Sequence, residues 1–566
     1  MNKHSTELLE KHFDTAFAAP DGVKKLRELI LTLAMQGKLV PQDPNDQPAS
    51  ELLKEIEAEK QRLVKEGKLK KPKPLPSLTE EEKPYALPQG WEWVRLGNIG
   101  LINPRNNAAD DMSAGFVPMP LIQEGYSELH SFEERPWGEI KRGYTHFADG
   151  DVGMAKITPC FENAKSCVFS NLPSGIGAGT TELHIFRNVF QAIDPRYLLF
   201  FLKNPKFISA AAARMTGSAG QKRVPTPLFA ELELPLPPIS EQYRIVAKID
   251  ELMARSNEME RLRTEQKETC LTVHAAAIKQ LLNIAAPNQH QYAQAFLAEH
   301  FGELYNVKEN VAELRKAIRQ LAVMGKLVPP NPDDQPASEL LKKINSVKRA
   351  LEEKEGLRTS AAPFVSQSEE TYGKPDGWSY CRLGNIGRFI DYRGKTPTKV
   401  EAGVPLITAK NVRFGYINRE PKEYVTPEEY IRWMTRGFPR IGDILFTTEA
   451  PLGNVAIIDI EEEFALAQRV ICLQFHVPEI AAWLKNFMMS DSFQDRLLSE
   501  ATGMTAAGIK ASKLKELAVP IPPLEEQYRI TAKVDQLMAM CDSLDQRIDT
   551  ATIKQAALLD AVMVQV

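Results

Sequence analysis

Cysteine and histidine are scarce in this chain of 566 residues, which has six of the first and nine of the second. Cys160, Cys167, Cys270, Cys381, Cys472 and Cys541 are scattered with no CxxC spacing, and no HxxxH or HExxH pair occurs, so neither a zinc site nor a disulfide framework is expected. Charge of one sign is also missing. Formal net charge is -4, so bulk electrostatics do not announce nucleic acid or an anionic membrane. Long apolar runs are absent too. The best early stretch, Leu26 to Val40, is interrupted by Arg27, Glu28, Gln36, Gly37 and Lys38 and is far short of a membrane span. With no secretory leader at its start, the chain is expected to be cytoplasmic with reduced thiols.

Catalytic signatures are missing as well. Gly394-Lys395-Thr396 looks like the tail of a phosphate-binding loop, but Phe389 stands where the earlier glycine is needed. Gly175, Gly177 and Gly179 form a GxGxG run without a strand-to-helix context, which argues for a tight loop and not a dinucleotide site. No Asn-Pro-Pro-aromatic or Asp-Pro-Pro-aromatic motif of an amino methyltransferase occurs. No catalytic residue, metal or resident cofactor is expected.

What the chain does have is itself, twice. GKLVPQDPNDQPASELLKEI (Gly37 to Ile56) returns as GKLVPPNPDDQPASELLKKI (Gly325 to Ile344), and PLPPISEQYRIVAKIDELM (Pro235 to Met253) returns as PIPPLEEQYRITAKVDQLM (Pro520 to Met538). The repeats keep nearly one offset, so each half carries the same parts in the same order. Between them, Trp91 to Glu233 and Trp378 to Ala518 share their edges and little else. This pattern implies one scaffold presenting two different inserts.

The segments divide as follows: 1–67 helical, 68–88 a mobile linker, 89–236 the first insert, 237–285 a long helix, 286–355 the repeated helical segment, 356–375 a second linker, 376–521 the second insert and 522–566 a second long helix. Val23 to Met35 and Val311 to Met324 have apolar residues at helical spacing and stop at Gly37 and Gly325. Ser50 and Ser338 are placed to cap the helices that follow. Short apolar runs broken by Gly, Pro and Asn predict mixed α/β inserts, with strands at GDVGMAKITPC, TELHIFRN, VPLITAKNV, GDILFTTEAPLGNVAII and FALAQRVICLQF. Arg196–Met215 and Glu479–Glu500 read as helical.

In the distal long helix, Ile530, Val534, Leu537, Cys541, Leu544, Ile548 and Ala551 make a heptad seam, resumed by Leu558 and Val562. The central one keeps Ile245, Ile249, Leu252, Met259, Cys270, Val273 and Ala277 but has Ser256, Arg263 and Gln266 at seam positions. The two helices are expected to pair.

Polar and basic loop residues are the candidates for contact with a nucleic acid, because backbone N–H groups and basic ends suit phosphate while amides and guanidinium suit base edges. In the first insert these are Lys156, Thr158 and Lys165 around a Pro-Cys turn, with Thr216, Ser218, Gln221, Lys222 and Arg223 in a small-residue loop. In the second they are Arg393, Lys395 and Thr396, then Lys410, Asn411 and Arg413, then Thr502, Thr505 and Lys510.

These features together make the chain resemble the specificity subunit of a Type I restriction-modification enzyme. PLPPISEQYRIVAKI and PIPPLEEQYRITAKV look like the family's domain-to-helix junction; AKITPCFENAK and TGSAGQKRV resemble one type of recognition domain, and RGKTP, GDILFTTEAPLGNVAII and TGMTAAGIKASKL another. AMQGKLVPQDPNDQPASELL resembles a branch with larger subunits.

The resemblance implies an α+β molecule with two α/β target-recognition domains, joined by two long antiparallel helices and related by a pseudo-two-fold internal repeat. It implies a non-catalytic reader of double-stranded DNA, each domain taking half of a bipartite asymmetric site. Two methyltransferase subunits, with S-adenosylmethionine, would methylate adenine N6. Two restriction subunits, with ATP and Mg, would cut. The stripes Leu26, Ile30, Leu33 and Leu314, Ile318, Leu321 are the expected docking surfaces for the methyltransferase subunits. Two other readings stay open: a divergent methyltransferase, and a coiled-coil adaptor that binds proteins.

Overall fold

The computed structural model describes residues 11–67, 75–218, 220–283, 287–355, 363–370, 375–392, 397–502 and 507–564. They form two units, 1–265 with 551–566 and 266–550, so each long helix contributes to both. The central helix, Ile239–Leu281, has 43 residues, about 64 Å at 1.5 Å per residue. The distal helix, Leu524–Val564, has 41.

Each unit is built on the repeated sequence. A helix, Gly22–Met35 in the first unit and Lys308–Val323 in the second, ends at a glycine with φ +64°, Gly37 or Gly325, where a left-handed residue turns the chain back. Lys38 N and Lys326 N then donate to Leu33 O and Leu321 O, both at 2.9 Å. A Cβ on Gly37 would lie 2.4 Å from Pro88 Cγ, so the turn also needs a bare Cα. The next helices, Ala49–Lys65 and Ala337–Glu355, are not capped by Ser50 or Ser338, which lie inside their first turns. Instead Ala49 N donates to Gly90 O and Ala337 N to Gly377 O, both at 2.8 Å, so a long-range carbonyl replaces the local cap.

Two-stranded ribbons close the base of each insert: β1 (Glu92–Arg95) pairs antiparallel with β10 (Glu233–Leu236), and β11 (Ser379–Arg382) with β19 (Ala518–Ile521). The buried guanidinium of Arg95 ties its ribbon to Glu82 at 2.7 Å and to Glu231 O at 2.7 Å; Arg382 does the same with Glu369 at 2.6 Å and Glu516 O at 2.7 Å. Trp91 Nε1 donates to Glu241 at 2.9 Å and Trp378 Nε1 to Glu526 at 3.1 Å, locking each ribbon to the start of a long helix. The described part of the first linker, 75–88, is held in place. Pro76 O accepts from Arg95, Tyr85 donates to Met35 O at 2.8 Å, and Thr79 and Glu82 form a capping box.

Although their sequences differ, the inserts share a ladder. In the first, β2 (Leu101–Ile102), β9 (Leu183–Arg187), β6 (Val152–Ala155) and β7 (Ser166–Val168) lie in that order. In the second, β12 (Gly387–Asp391), β18 (Val470–Phe475), β15 (Ile444–Thr447) and β16 (Val455–Ile457) repeat it, antiparallel throughout. Beside each ladder is one parallel pair, β3 (Ser113–Val117) with β8 (Ile176–Gly179) and β13 (Val404–Ile407) with β17 (Ala465–Leu466). Strands β4 (Glu133–Pro136) and β5 (Thr145–Ala148) flank the first pair, and β14 (Tyr424–Val425) flanks β13 in the second.

Gly175 of the GxGxG run turns the chain with φ +70° just before β8, as the tight-loop reading expects, while Gly177 and Gly179 lie in β8 and serve packing. A Cβ on Gly177 would sit 2.4 Å from the Phe147 ring, and one on Gly179 would sit 2.1 Å from Val117 O. The expected single helical stretches are each two helices, Pro195–Leu202 and Pro205–Ala213, then Ala481–Met488 and Asp491–Ser499. Asn204 and Ser490 cap the second of each pair and break the run.

In both units the start of one long helix and the end of the other belong together, as in an antiparallel arrangement. In the second unit Ala277, Ile278 and Leu281 share a core with Ile530, Val534 and Cys541 and with Val311 and Ile318. In the first, Leu559 packs with Ala16, Phe17 and Leu29.

The seams depart from expectation at Val273 and Ala551, while Ser256 and Arg263 take the seam positions expected of them. Val273 is exposed, and His274 is buried in its stead against Tyr305. Ser256 is buried with its hydroxyl on Leu252 O, and Arg263 donates to Phe17 O. Ala551 is exposed because a straight helix of 3.6 residues per turn has drifted from the 3.5 repeat by that point, moving the inward face to Thr552 and Leu559.

Candidate nucleic-acid interface

Both inserts gather three loops where the parallel strand pair ends. In the first, Lys156 N donates to Glu182 O at 2.9 Å and Val224 N to Lys156 O at 2.8 Å, while Thr216 and Arg223 exchange backbone bonds at 3.0 and 2.8 Å to close a hairpin. In the second, Thr448 N donates to Arg469 O at 3.1 Å and Ile509 N to Thr448 O at 3.0 Å, and Thr502 and Gly508 close the hairpin at 2.9 and 3.0 Å. Bridges Ile157 to Arg223 and Glu449 to Gly508 match, as do the cis peptides before Pro159 and Pro451. One backbone frame therefore carries different side chains: Lys156 corresponds to Thr448, Ile157 to Glu449, Thr158 to Ala450 and Glu182 to Arg469.

The structure brings together Lys156, Thr158, Thr216, Ser218, Gln221, Lys222 and Arg223. Thr158 N donates to Lys222 O at 3.0 Å, and Thr216, Ser218, Gln221 and Lys222 are exposed. Lys165 stands behind them, half-buried, its Nζ 3.5 Å from Met119 O. Arg223 is paired side-on with Glu182, Nε to Oε2 at 3.0 Å and Nη2 to Oε1 at 2.9 Å, and its hydrogen bonds hold the Glu182 carboxyl below the usual range. Beneath the hairpin lies buried His184, Nε2 donating to Val224 O at 2.8 Å and the ring stacked on Phe229. Burial pushes its imidazole down to about 4, so it is neutral at ordinary pH.

In the second insert Thr502 and Lys510 line a pocket of about 300 Å³ with Thr448, Glu449, Gln468, Gly508 and Ile509. Lys410 and Arg413 are exposed on a neighbouring loop that also exposes Phe414 and Tyr416. Asn411 differs from expectation. It is buried, its Oδ1 accepting from Thr408 N and Oγ1 and its Nδ2 donating to Asn418 O and Pro421 O, so its amide shapes the loop and has nothing to offer a base. Arg393, Lys395, Thr396 and Thr505 lie outside the described residues.

Sequence reasoning missed Glu182, Glu449, Gln468 and Arg469. Glu449 lies inside GDILFTTEAPLGNVAII and the others inside runs read only as strands, and the shared hydrogen-bond frame is what singles them out.

The expected docking stripes are corrected. Ile30 and Ile318 are buried, and Leu26, Leu33, Leu314 and Leu321 pack against cores of their own units. A helical stripe records burial but does not say whether the covering surface belongs to the same chain. Among the described residues no cluster of metal-ligating side chains occurs, and no helix is long and apolar enough to cross a membrane.

A family model described as the Type I restriction modification DNA specificity domain matches residues 375–552. The chain is 41% identical over 559 residues to the Type I restriction enzyme EcoAI specificity subunit of Escherichia coli, covering 96% of this chain and 93% of that one. It is 38% identical over 569 residues to the EcoEI specificity subunit of Escherichia coli, with the same coverage. The solved HsdS subunit from Thermoanaerobacter tengcongensis matches with a TM-score of 0.46 at 21% identity, over 85% of this chain and 98% of that one. By its identity to full-length relatives, the chain belongs to the Type I restriction enzyme specificity subunits.

Proposed function

We propose that each sheet-rich domain reads one half of a bipartite, asymmetric DNA site through its three-loop cluster. A single observation carries this: two domains of unlike sequence keep the same ladder and the same loop hydrogen bonds, yet place different side chains at matched positions. That is what two readers of different sequence on one support require. Lys156, Lys222, Lys410, Arg413 and Lys510 supply phosphate contacts, and Thr158, Thr216, Ser218, Gln221, Arg223 and Thr502 lie where base edges would be met.

The duplicated ribbon-and-helix frame would offer the same surface twice, which accounts for two methyltransferase subunits per chain; two restriction subunits complete the complex. S-adenosylmethionine belongs to the former for adenine N6 methylation, and ATP and Mg to the latter for cleavage. The long helices would set the unread spacer, about one DNA turn of roughly 34 Å.

The test is to map N6-methyladenine across the genome of cells expressing this chain with its cognate methyltransferase subunit. A new bipartite methylated motif is expected. No motif, with a stable complex in hand, would sink the reading.

A further inference from the structure

Within the proposed DNA-reading function, on which this inference rests, we propose that Arg223 and Arg469 are the guanine-reading residues of the two domains, each oriented by one carboxylate. The two ion pairs share one position of the frame, held by an acid in the first domain (Glu182) and by a base in the second (Arg469), while their partners, Arg223 and Glu449, come from two neighbouring loops. In the first domain the arginine comes from the hairpin and the acid, Glu182, from the residue before β9. In the second the arginine precedes β18 and the acid, Glu449, comes from the cis-proline turn, Nε to Oε1 at 2.8 Å. Both arginine side chains remain about half exposed, at 43% and 48%.

The geometry decides what such an arginine can do. Glu182 takes Nε and one N–H of Nη2 of Arg223, and Nη1 gives one N–H to Gln221 O at 3.1 Å. One N–H on each Nη remains, a pair of donors of the kind a guanidinium fork offers to guanine O6 and N7. An arginine already held by a carboxylate presents that fork without losing side-chain freedom on binding, which favours discrimination over non-specific attraction. Glu182 and Glu449 are then positioning residues. The surrounding loops supply neighbouring contacts, with Gln468, Thr502 and Lys510 lining the pocket next to Glu449.

The experiment maps the methylated motif made by the assembled complex with wild-type chain, Arg223→Gln, Arg469→Gln, Arg223→Lys and Glu182→Gln, with thermal unfolding as the control for folding. The wild-type motif should contain a guanine on one strand in each half. Arg223→Gln should relax that position in one half only, by at least about fivefold in methylation preference, and Arg469→Gln should do so in the other. Arg223→Lys retains charge but not the planar fork and should relax the same position; Glu182→Gln should relax it less. A folded Arg223→Gln complex with an unchanged motif, full discrimination in Arg223→Lys, or loss spread over both halves would overturn the assignment. A wild-type complex with no bipartite motif would remove the DNA-reading proposal itself, which separates the two failures.

Discussion

Most residues that define this molecule work in pairs repeated across its halves. Arg95 with Glu82 and Arg382 with Glu369 are buried or half-buried ties between a ribbon and the segment before it. Removing either arginine leaves part-buried carbonyls without their donor, Pro76 O and Glu231 O in the first unit, so Arg95→Ala should destabilise that unit by about 2 kcal/mol, seen as a lower first transition in a thermal melt, with the second unit unaffected. His184 has no counterpart, because Ile471 holds the matching position in the second ladder. Its folded pKa, about 4, lies below the unfolded value of 6.5, so the unfolded chain binds the extra proton first. Its stabilising contribution is therefore complete above pH 6.5 and is lost as pH falls towards 4, by about 3 kcal/mol in all. Chemical unfolding of wild type and His184→Phe at pH 7.5 and 5 checks this: the wild-type first unit should weaken more than the variant. Equal loss in both would show that the histidine does not titrate as its burial demands.

Among elements, the long helices carry the clearest expectation. From Thr264 to Thr269 the central helix is exposed on every side, with Lys267 reaching only Glu309. Seven-residue helical insertions after Gln266 and, in the distal helix, after Thr550 add about 10 Å of rise to both helices at the boundary of the two units, among exposed residues. Methylation mapping should then report a longer unread spacer, or no methylation, with both half-site sequences intact; a changed half-site would contradict the spacer role. The drift of the distal seam from Ala551 to Thr552 bears on the same element. Heptad counting places apolar residues well over short stretches, but a straight helix drifts by about 20° per heptad, so after three heptads the next residue along faces inward better. The later seam is set by whatever it meets.

At the scale of the molecule, the shared ladder makes the inserts modular. Replacing 376–521 with the corresponding domain of a relative should alter one half-site and leave the other unchanged, as read by the methylated motif. Alteration of both would refute independent readers. Net charge also acts at this scale. At -4 the chain cannot gather many phosphates alone, so its DNA affinity at moderate salt should rise by about tenfold or more when methyltransferase subunits are added, measured by fluorescence anisotropy across a salt series.

Much was legible in the amino-acid order. The repeats Gly37–Ile56 and Gly325–Ile344, the junctions at EQYRI, the helices stopping at Gly37 and Gly325, strands β6, β9, β13 and β15 to β18 and the two long helices all follow from local rules: periodicity, turn residues and caps act over a few neighbours. The loops Thr216–Arg223 and Thr502–Lys510 were visible for the same reason. Tertiary structure alone decided the rest, because it depends on partners far apart in the chain. It turned the stripes at Leu26 and Leu314 inward, consumed the amide of Asn411 and replaced Ser50 and Ser338 as caps by the carbonyls of Gly90 and Gly377. It also gave two unlike inserts one ladder, since many sequences satisfy the same pattern of buried alternation, and it brought Glu182 to Arg223 and Glu449 to Arg469.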